Sequence, residues 1–289
     1  MLFRPPIRQA APSRIGFLLA VVVCLGAVPR IAYGWGPSAH RLVNAWAIET
    51  LPQPLKRFFT SHRSYLTEHA SDADGAIQQD GNEWKNHYVH LDKYGRFPYT
   101  GLPQSFPRAV QIHGSRKLNR NGVLPWRIAE FKGNLTRAFE NEDWEAVMEH
   151  AATLGHYVTD AHQPLHTSSN YDGQLTGQAG LANRYGSGLV DRYINFFIMR
   201  PERSAWIEDP TEHAFTMVLE SHIWVDNLLL ADRQSRKGLV GYTDEYYDNL
   251  YSSTSGMLMR QINAACHDVG SYWYTAWVNA GRPPLPSSP

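Results

Sequence analysis

Cysteine is almost missing from this chain: Cys24 and Cys266 are the only two in 289 residues. Residues 1–34 have the marks of a signal peptide. Arg4, Arg8 and Arg14 precede an apolar run from Ile15 to Val28, and Ala32 and Gly34 put small residues at the −3 and −1 positions of a signal-peptidase site. With that segment removed, Cys266 stands alone. An internal disulfide is then excluded, although a secreted or periplasmic protein meets an oxidising environment. A bound metal becomes the natural staple. Long apolar runs are scarce as well. The N-terminal run is too short for a comfortable bilayer crossing and nothing after it is apolar enough, so no membrane span is expected. Positive charge is also in short supply. The expected processing takes four of the 27 basic residues and none of the 27 acidic ones, leaving a net charge of −4 with His neutral. Non-specific nucleic-acid binders usually show a basic surface. A protein of this charge that handles phosphates must draw much of its positive charge from metal ions. Repeats, heptads and low-complexity tracts are absent from the sequence.

Histidine, by contrast, is abundant, and all 13 lie after residue 34. Helical periods dominate the same part of the chain. Residues 38–51 read as a helix with Ser38 as cap and Leu42, Val43, Trp46, Ala47 and Ile48 near one face. Further helices are expected over 136–142, 144–158, 215–231 and 254–278, with Asn141-Glu142-Asp143 separating the first two of these. β-Alternation is rare, and residues 86–92 are its best candidate. Residues 95–125 and 168–188 read as loops rich in turn formers. The chain beyond Trp35 is therefore an all-α protein, a single helical domain over residues 35–289 with long functional loops.

The densest chemistry lies in His156-Tyr-Val-Thr-Asp160-Ala-His162-Gln163-Pro164-Leu-His166. His156 and Asp160 are four apart and share a helix face. Gln163-Pro164 disfavours continuation of the helix, and His166 follows on the turn beyond. Neutral imidazole and carboxylate are good zinc ligands, and a same-face pair supplies two of them at fixed spacing. More residues of ligand type lie upstream. Trp35, as a new N-terminus, could chelate a metal through its α-amine and carbonyl, and the amine's ordinary pKa near 8 makes the neutral form accessible at a cost of roughly 1 kcal/mol. His40 follows five residues later. His69-Ala-Ser-Asp72-Ala-Asp74 and Asn86-His87-Tyr88-Val89-His90-Leu-Asp92 add further candidates. Each of these alone reads as a cap or turn residue; together with the central run they suggest a metal cluster.

With these segments the chain resembles the zinc-dependent single-strand nucleases of moulds and plants, which share a helical fold with bacterial zinc phospholipase C. The markers are Trp35-Gly36 with His40, residues 70–74, His87-Tyr88-Val89, residues 122–126, the run from His156 to His166, and Asn170-Tyr-Asp-Gly173. They cover nearly all of the chain after residue 34. The resemblance implies the fold of the phospholipase C/single-strand nuclease type and a zinc cluster. Asp74, His87, His156 and Asp160 match the ligands of one zinc. Trp35, His40 and Asp160 match those of the zinc paired with it, Asp160 bridging the two. His166 matches one ligand of a third zinc, His162 matches a non-ligand, and Tyr88 matches an aromatic that stacks on a nucleobase.

The chain departs from that pattern in places. The third zinc needs another His and an acidic residue four positions later, and Ala182 and Gly186 stand there. Asp191 comes one turn too late, and Asn183 is a poor zinc ligand. A cation expected three residues after Asp74 is Ile77, with Lys85 and Arg184 as substitutes to consider, and an acidic base-reading position is His90. The resemblance thus implies two Zn²⁺ in a paired site with the third weak or absent. It implies a secreted or periplasmic zinc-dependent endonuclease or phosphodiesterase acting on single-stranded DNA or RNA, possessing 3′-nucleotidase potential. Asp74 and Asp160 would be catalytic and Tyr88 would bind substrate. The alternatives are a phospholipase C-like phosphodiesterase and a catalytically impaired protein that binds metal or nucleotide.

Overall fold

A computed structural model of the chain describes residues 34–286. The expected signal peptide lies, but for Gly34, outside the described residues. Helix α1 (Pro37–Thr50) starts with Pro at its first turn, where the missing N–H costs nothing, so Gly36 rather than Ser38 is the N-cap residue. The helix stops at Leu51, the residue before Pro52. Its buried face, Ala39, His40, Val43, Asn44, Ala47 and Ile48, follows the helical period and places His40 among apolar neighbours. Two short helices, α2 (Leu55–Ser61) and α3 (Arg63–Glu68), turn the chain back, and α4 (Asp72–Gln79) carries Asp74 in its first turn.

Residues 86–92, the best strand candidate, form no strand. Their ends belong to two 3-10 turns, Glu83–His87 and Leu91–Tyr94, residues 88–90 link the two as irregular backbone, and no β-strand occurs among the described residues. The segment expected as a loop over 95–125 contains helices α5 (Phe106–His113) and α6 (Ser115–Asn121). These pieces are too short for periodicity to reveal. Helices α7 (Leu124–Glu140) and α8 (Trp144–Ala161) follow, separated by the expected break, where Glu142 takes a positive φ of 51°. The Asp143 carboxylate accepts from Ala146 N and caps α8.

Helix α8 is the centre of the molecule. It packs against α1, α3 and α7, and every residue from Leu154 to Ala161 is buried. One close approach fixes the geometry of the site. A Cβ on Gly155 would lie 2.2 Å from Asn44 Oδ1, so only glycine lets α8 come this near to α1. Nearby on the same two helices, the rings of His40 and His156 stack at 4.0 Å.

Beyond α8 the chain makes a 3-10 turn (Pro164–Thr167), a short helix α9 (Leu181–Asn183), a π-helical turn (Arg184–Leu189) and α10 (Val190–Tyr193). The single helix expected over 215–231 is two, α11 (Pro210–His222) and α12 (Val225–Ser235), with the break at Ile223-Trp224. Helix α13 (Asp244–Asn279) is 36 residues long, starts at a Thr243 cap and lies along α1, α7, α8 and α12. The described residues are all-α and cluster as one compact unit.

Candidate metal centre

Asp160 sits on the last turn of α8, and imidazoles converge on it from four segments. Its Oδ2 lies 2.9 Å from His87 Nδ1 and 3.2 Å from His156 Nε2. Its Oδ1 lies 3.4 Å from His166 Nδ1 and 3.7 Å from His40 Nε2. Asp74 Oδ1 reaches in from α4, 3.6 Å from His156 Nε2 and 4.0 Å from His87 Nδ1. Two overlapping groups have all their donor atoms within 4.8 Å of one another, His40–His156–Asp160 and Asp74–His87–His156. These buried groups can hold a metal ion. The structure thus brings together six of the expected ligands, and His156 belongs to both groups.

Hydrogen bonding within the protein leaves this centre incomplete. Both ring nitrogens of His40 and both of His166 are buried without a hydrogen-bond partner, as is His87 Nε2. His87 Nδ1 and His156 Nε2 are only 3.1 Å apart. Buried polar groups normally find partners because leaving one bare costs about 1–3 kcal/mol. Nitrogen lone pairs crowding a buried carboxylate fit a cation between them. The charges agree. Burial pushes the His40 ring well below its ordinary pKa, with the neighbouring His156 adding to the effect. Burial also disfavours charge on His156 and on Asp160, but each outweighs that for the other. His156 ends up at about 9 and the Asp160 carboxyl well below the usual carboxylate range.

Local structure orients the rings. His156 Nδ1 donates to the Ala70 carbonyl at 2.9 Å, which turns Nε2 toward the cluster. His166 is held on its 3-10 turn by the bond from Val89 N to its carbonyl at 2.9 Å and by Gln163, whose side chain accepts from Leu165 N. His162, the non-ligand of the run, points elsewhere and meets Asp268 at 2.9 Å.

Trp35 is buried beside Tyr185, with ring centroids 5.5 Å apart. The backbone around it threads past His166 and the π-helical turn. A Cβ on Gly34 would lie 1.9 Å from His166 Nε2, and a Cβ on Gly186 would lie 1.4 Å from the Gly34 carbonyl oxygen. Gly36 N donates to Gly186 O at 3.2 Å. Ala182 is buried, whereas Asn183 and Asp191 are exposed, and neither belongs to the groups of converging ligand atoms.

Other expected residues land differently. Tyr88 is only 7% exposed, its hydroxyl donates to Arg120 O, and its ring stacks on His90 at 4.5 Å. The Tyr88 ring, expected as a stacking platform, is therefore largely covered in this structure, His90 lying against it. His90 stacks in turn on Tyr171 at 5.8 Å with planes 5° apart, and Tyr171 is 37% exposed. The accessible end of this ladder is Tyr171. Arg184 is no phosphate clamp. It is buried against Asp232, Tyr246 and the Gln178 and Ala179 carbonyls. Lys85 bonds Asn82 O and lines a cleft of about 800 Å³, with Phe106, Trp126 and Arg127, that shares no residue with the cluster. His69 and Asp72 pair on the surface, and Asp92 holds the Ser169 amide and hydroxyl. Glu83 was missing from the sequence reading. It stands next to His87 Nε2, and its one signal was the spacing of four residues before His87.

The sequence matches no protein-family model and no curated protein. No helix among the described residues is long and apolar enough to cross a membrane.

Proposed function

We propose that this protein is a secreted or periplasmic zinc-dependent phosphodiesterase that hydrolyses single-stranded DNA or RNA through a paired metal centre. The observation that carries the reading is the buried Asp160 carboxylate with four imidazoles within 3.7 Å, several of their nitrogens unpartnered. Soft-to-borderline nitrogen donors with carboxylates are the donor set zinc prefers. Asp74, His87, His156 and Asp160 would hold one ion; His40, Asp160 and the processed Trp35 terminus the other. Zinc bound there supplies an acidified water and positive charge for a phosphate.

The remaining work falls to the chain. Asp160 offers one oxygen to each group and keeps the two together. Asp74 is the most exposed of the ligand side chains, at 18%, and is placed to take a proton from an incoming water. Tyr171 offers an unstacked base an aromatic face, and single strands can present one. A second reading, a protein that binds metal or nucleotide with little turnover, is favoured by Ala182 and Gly186, which offer no ligating side chain for a third ion.

Native mass spectrometry combined with a single-stranded DNA cleavage assay tests both. Two retained zinc ions with cleavage that EDTA abolishes support the hydrolase. Zinc without turnover supports the second reading, and protein free of zinc refutes the hydrolase and the metal-binding form of the second reading.

A further inference from the structure

The outward side of His87 is as well defined as its inward side. Nδ1 faces Asp160 and His156, while Nε2 is buried without a hydrogen bond. Among the described residues, the carboxylate oxygen within 4 Å of Nε2 is Glu83 Oε1, at 3.6 Å. Glu83 and His87 begin and end the same 3-10 turn, so one short element delivers both groups. Glu83 is itself held from three directions. The Tyr157 hydroxyl donates to Oε1, Asn86 Nδ2 donates to Oε2 at 2.9 Å, and Arg127 Nη2 stands 3.8 Å from Oε2. Arg127 is kept in place over the Phe131 ring at 4.4 Å.

We propose that Glu83 is the positioning residue for His87 as a metal ligand, with Tyr157, Asn86 and Arg127 as its supports. The inference rests on the metal reading above. A ring that offers Nδ1 to a cation carries its proton on Nε2, and that N–H needs an acceptor. A carboxylate there selects the tautomer, locks the ring plane and makes Nδ1 a stronger donor. Tyr157 lies on α8 one residue after His156, so the same helix that supplies one ligand steadies the support of another.

Zinc affinity tests this, with Zn²⁺ the sole added ligand and a chromophoric chelator as competitor. Glu83→Ala should weaken one of the two equivalents by about 10- to 100-fold and leave the other unchanged. Glu83→Gln, whose amide oxygen still accepts from Nε2–H, should fall between Glu83→Ala and the wild type. The melting of the metal-free proteins is followed in parallel. Unchanged affinity in Glu83→Ala overturns the proposal. So does an equal loss at both equivalents that tracks lower metal-free stability, which is what a merely structural carboxylate would give. ¹⁵N NMR of His87 in zinc-loaded wild type needs no variant: Nε2 protonated with Nδ1 bound agrees, and the reverse overturns it. Wild-type protein that takes up no zinc overturns the metal reading itself, a result distinct from either.

Discussion

Replacing Asp160 with Asn keeps the shape of the side chain and removes the charge that four imidazoles surround. The cost can be worked out with and without metal. A ligand that binds only the folded state, present at a thousandfold excess over its Kd, stabilises by about 4 kcal/mol. For a domain of this size each kcal/mol moves Tm by roughly 2–4 °C, so EDTA should lower the wild-type midpoint by about 8–16 °C for each ion held that tightly. In Asp160→Asn both proposed ion sites lose a carboxylate ligand, and the EDTA-dependent shift should shrink to about 2 °C or less. The metal-free variant should also melt below the metal-free wild type. Removing one member of a buried charged pair costs about 3–5 kcal/mol, and Asp160 is the partner that keeps His156 protonated. Scanning calorimetry at neutral pH, with excess zinc and then with EDTA, measures all four midpoints. If the variant keeps the full EDTA-dependent shift, Asp160 is no ligand and the reasoning fails.

Three other perturbations follow from the same geometry. Tyr171→Ala should weaken binding of a single-stranded oligonucleotide, read by fluorescence anisotropy, by about 5- to 150-fold, the equivalent of 1–3 kcal/mol per stacked base; Tyr88→Phe should leave binding unchanged, and equal affinities in all three proteins would remove the stacking role. Gly186→Glu should destabilise a chain that contains Gly34 by about 1–3 kcal/mol or more through overpacking, yet be tolerated in a chain beginning at Trp35; equal melting shifts in the two contexts would contradict the threading seen here. The Asp268 carboxyl is pushed up by burial, but the rings of His162 and His213 outweigh this and hold it below its ordinary 3.8. His213 is pushed down by burial but raised above 6.5 by Asp268. The depressed carboxyl stabilises the fold above its unfolded value and loses that as pH falls; the raised imidazole stabilises below its unfolded value and loses that as pH rises through its folded one. The melting difference between wild type and Asp268→Asn should therefore be largest between pH 3.8 and 6.5 and narrow on both sides; a difference flat with pH would refute the pairing.

Much of the centre was legible in the sequence because its spacing is local. His156 and Asp160 need only a helix to share a face, and Pro164 tells where that helix must end. The all-α class was legible for a similar reason, since α1, α7, α8 and α13 are long enough for the 3.6-residue period to show. The short helices α5 and α6 span too few turns to reveal a period, and residues 86–92 alternate in polarity although they form two 3-10 turns joined by irregular backbone. The covering of Tyr88 by His90 depends on how those turns place two rings, and residue type carries no trace of it. The place of Arg184 was not legible in the sequence because its partners, Asp232 and Tyr246, arrive from helices far along the chain.

Gly34 gives the peptide bond to Trp35 a double meaning. While that bond stands, the Trp35 nitrogen is a resonance-stabilised amide with no lone pair to donate, and backbone fills the gap between His166 and Gly186. One hydrolytic cut would convert the amide to a base and vacate the gap in the same event. Chain maturation and completion of the inorganic site would then be a single chemical act, irreversible once done.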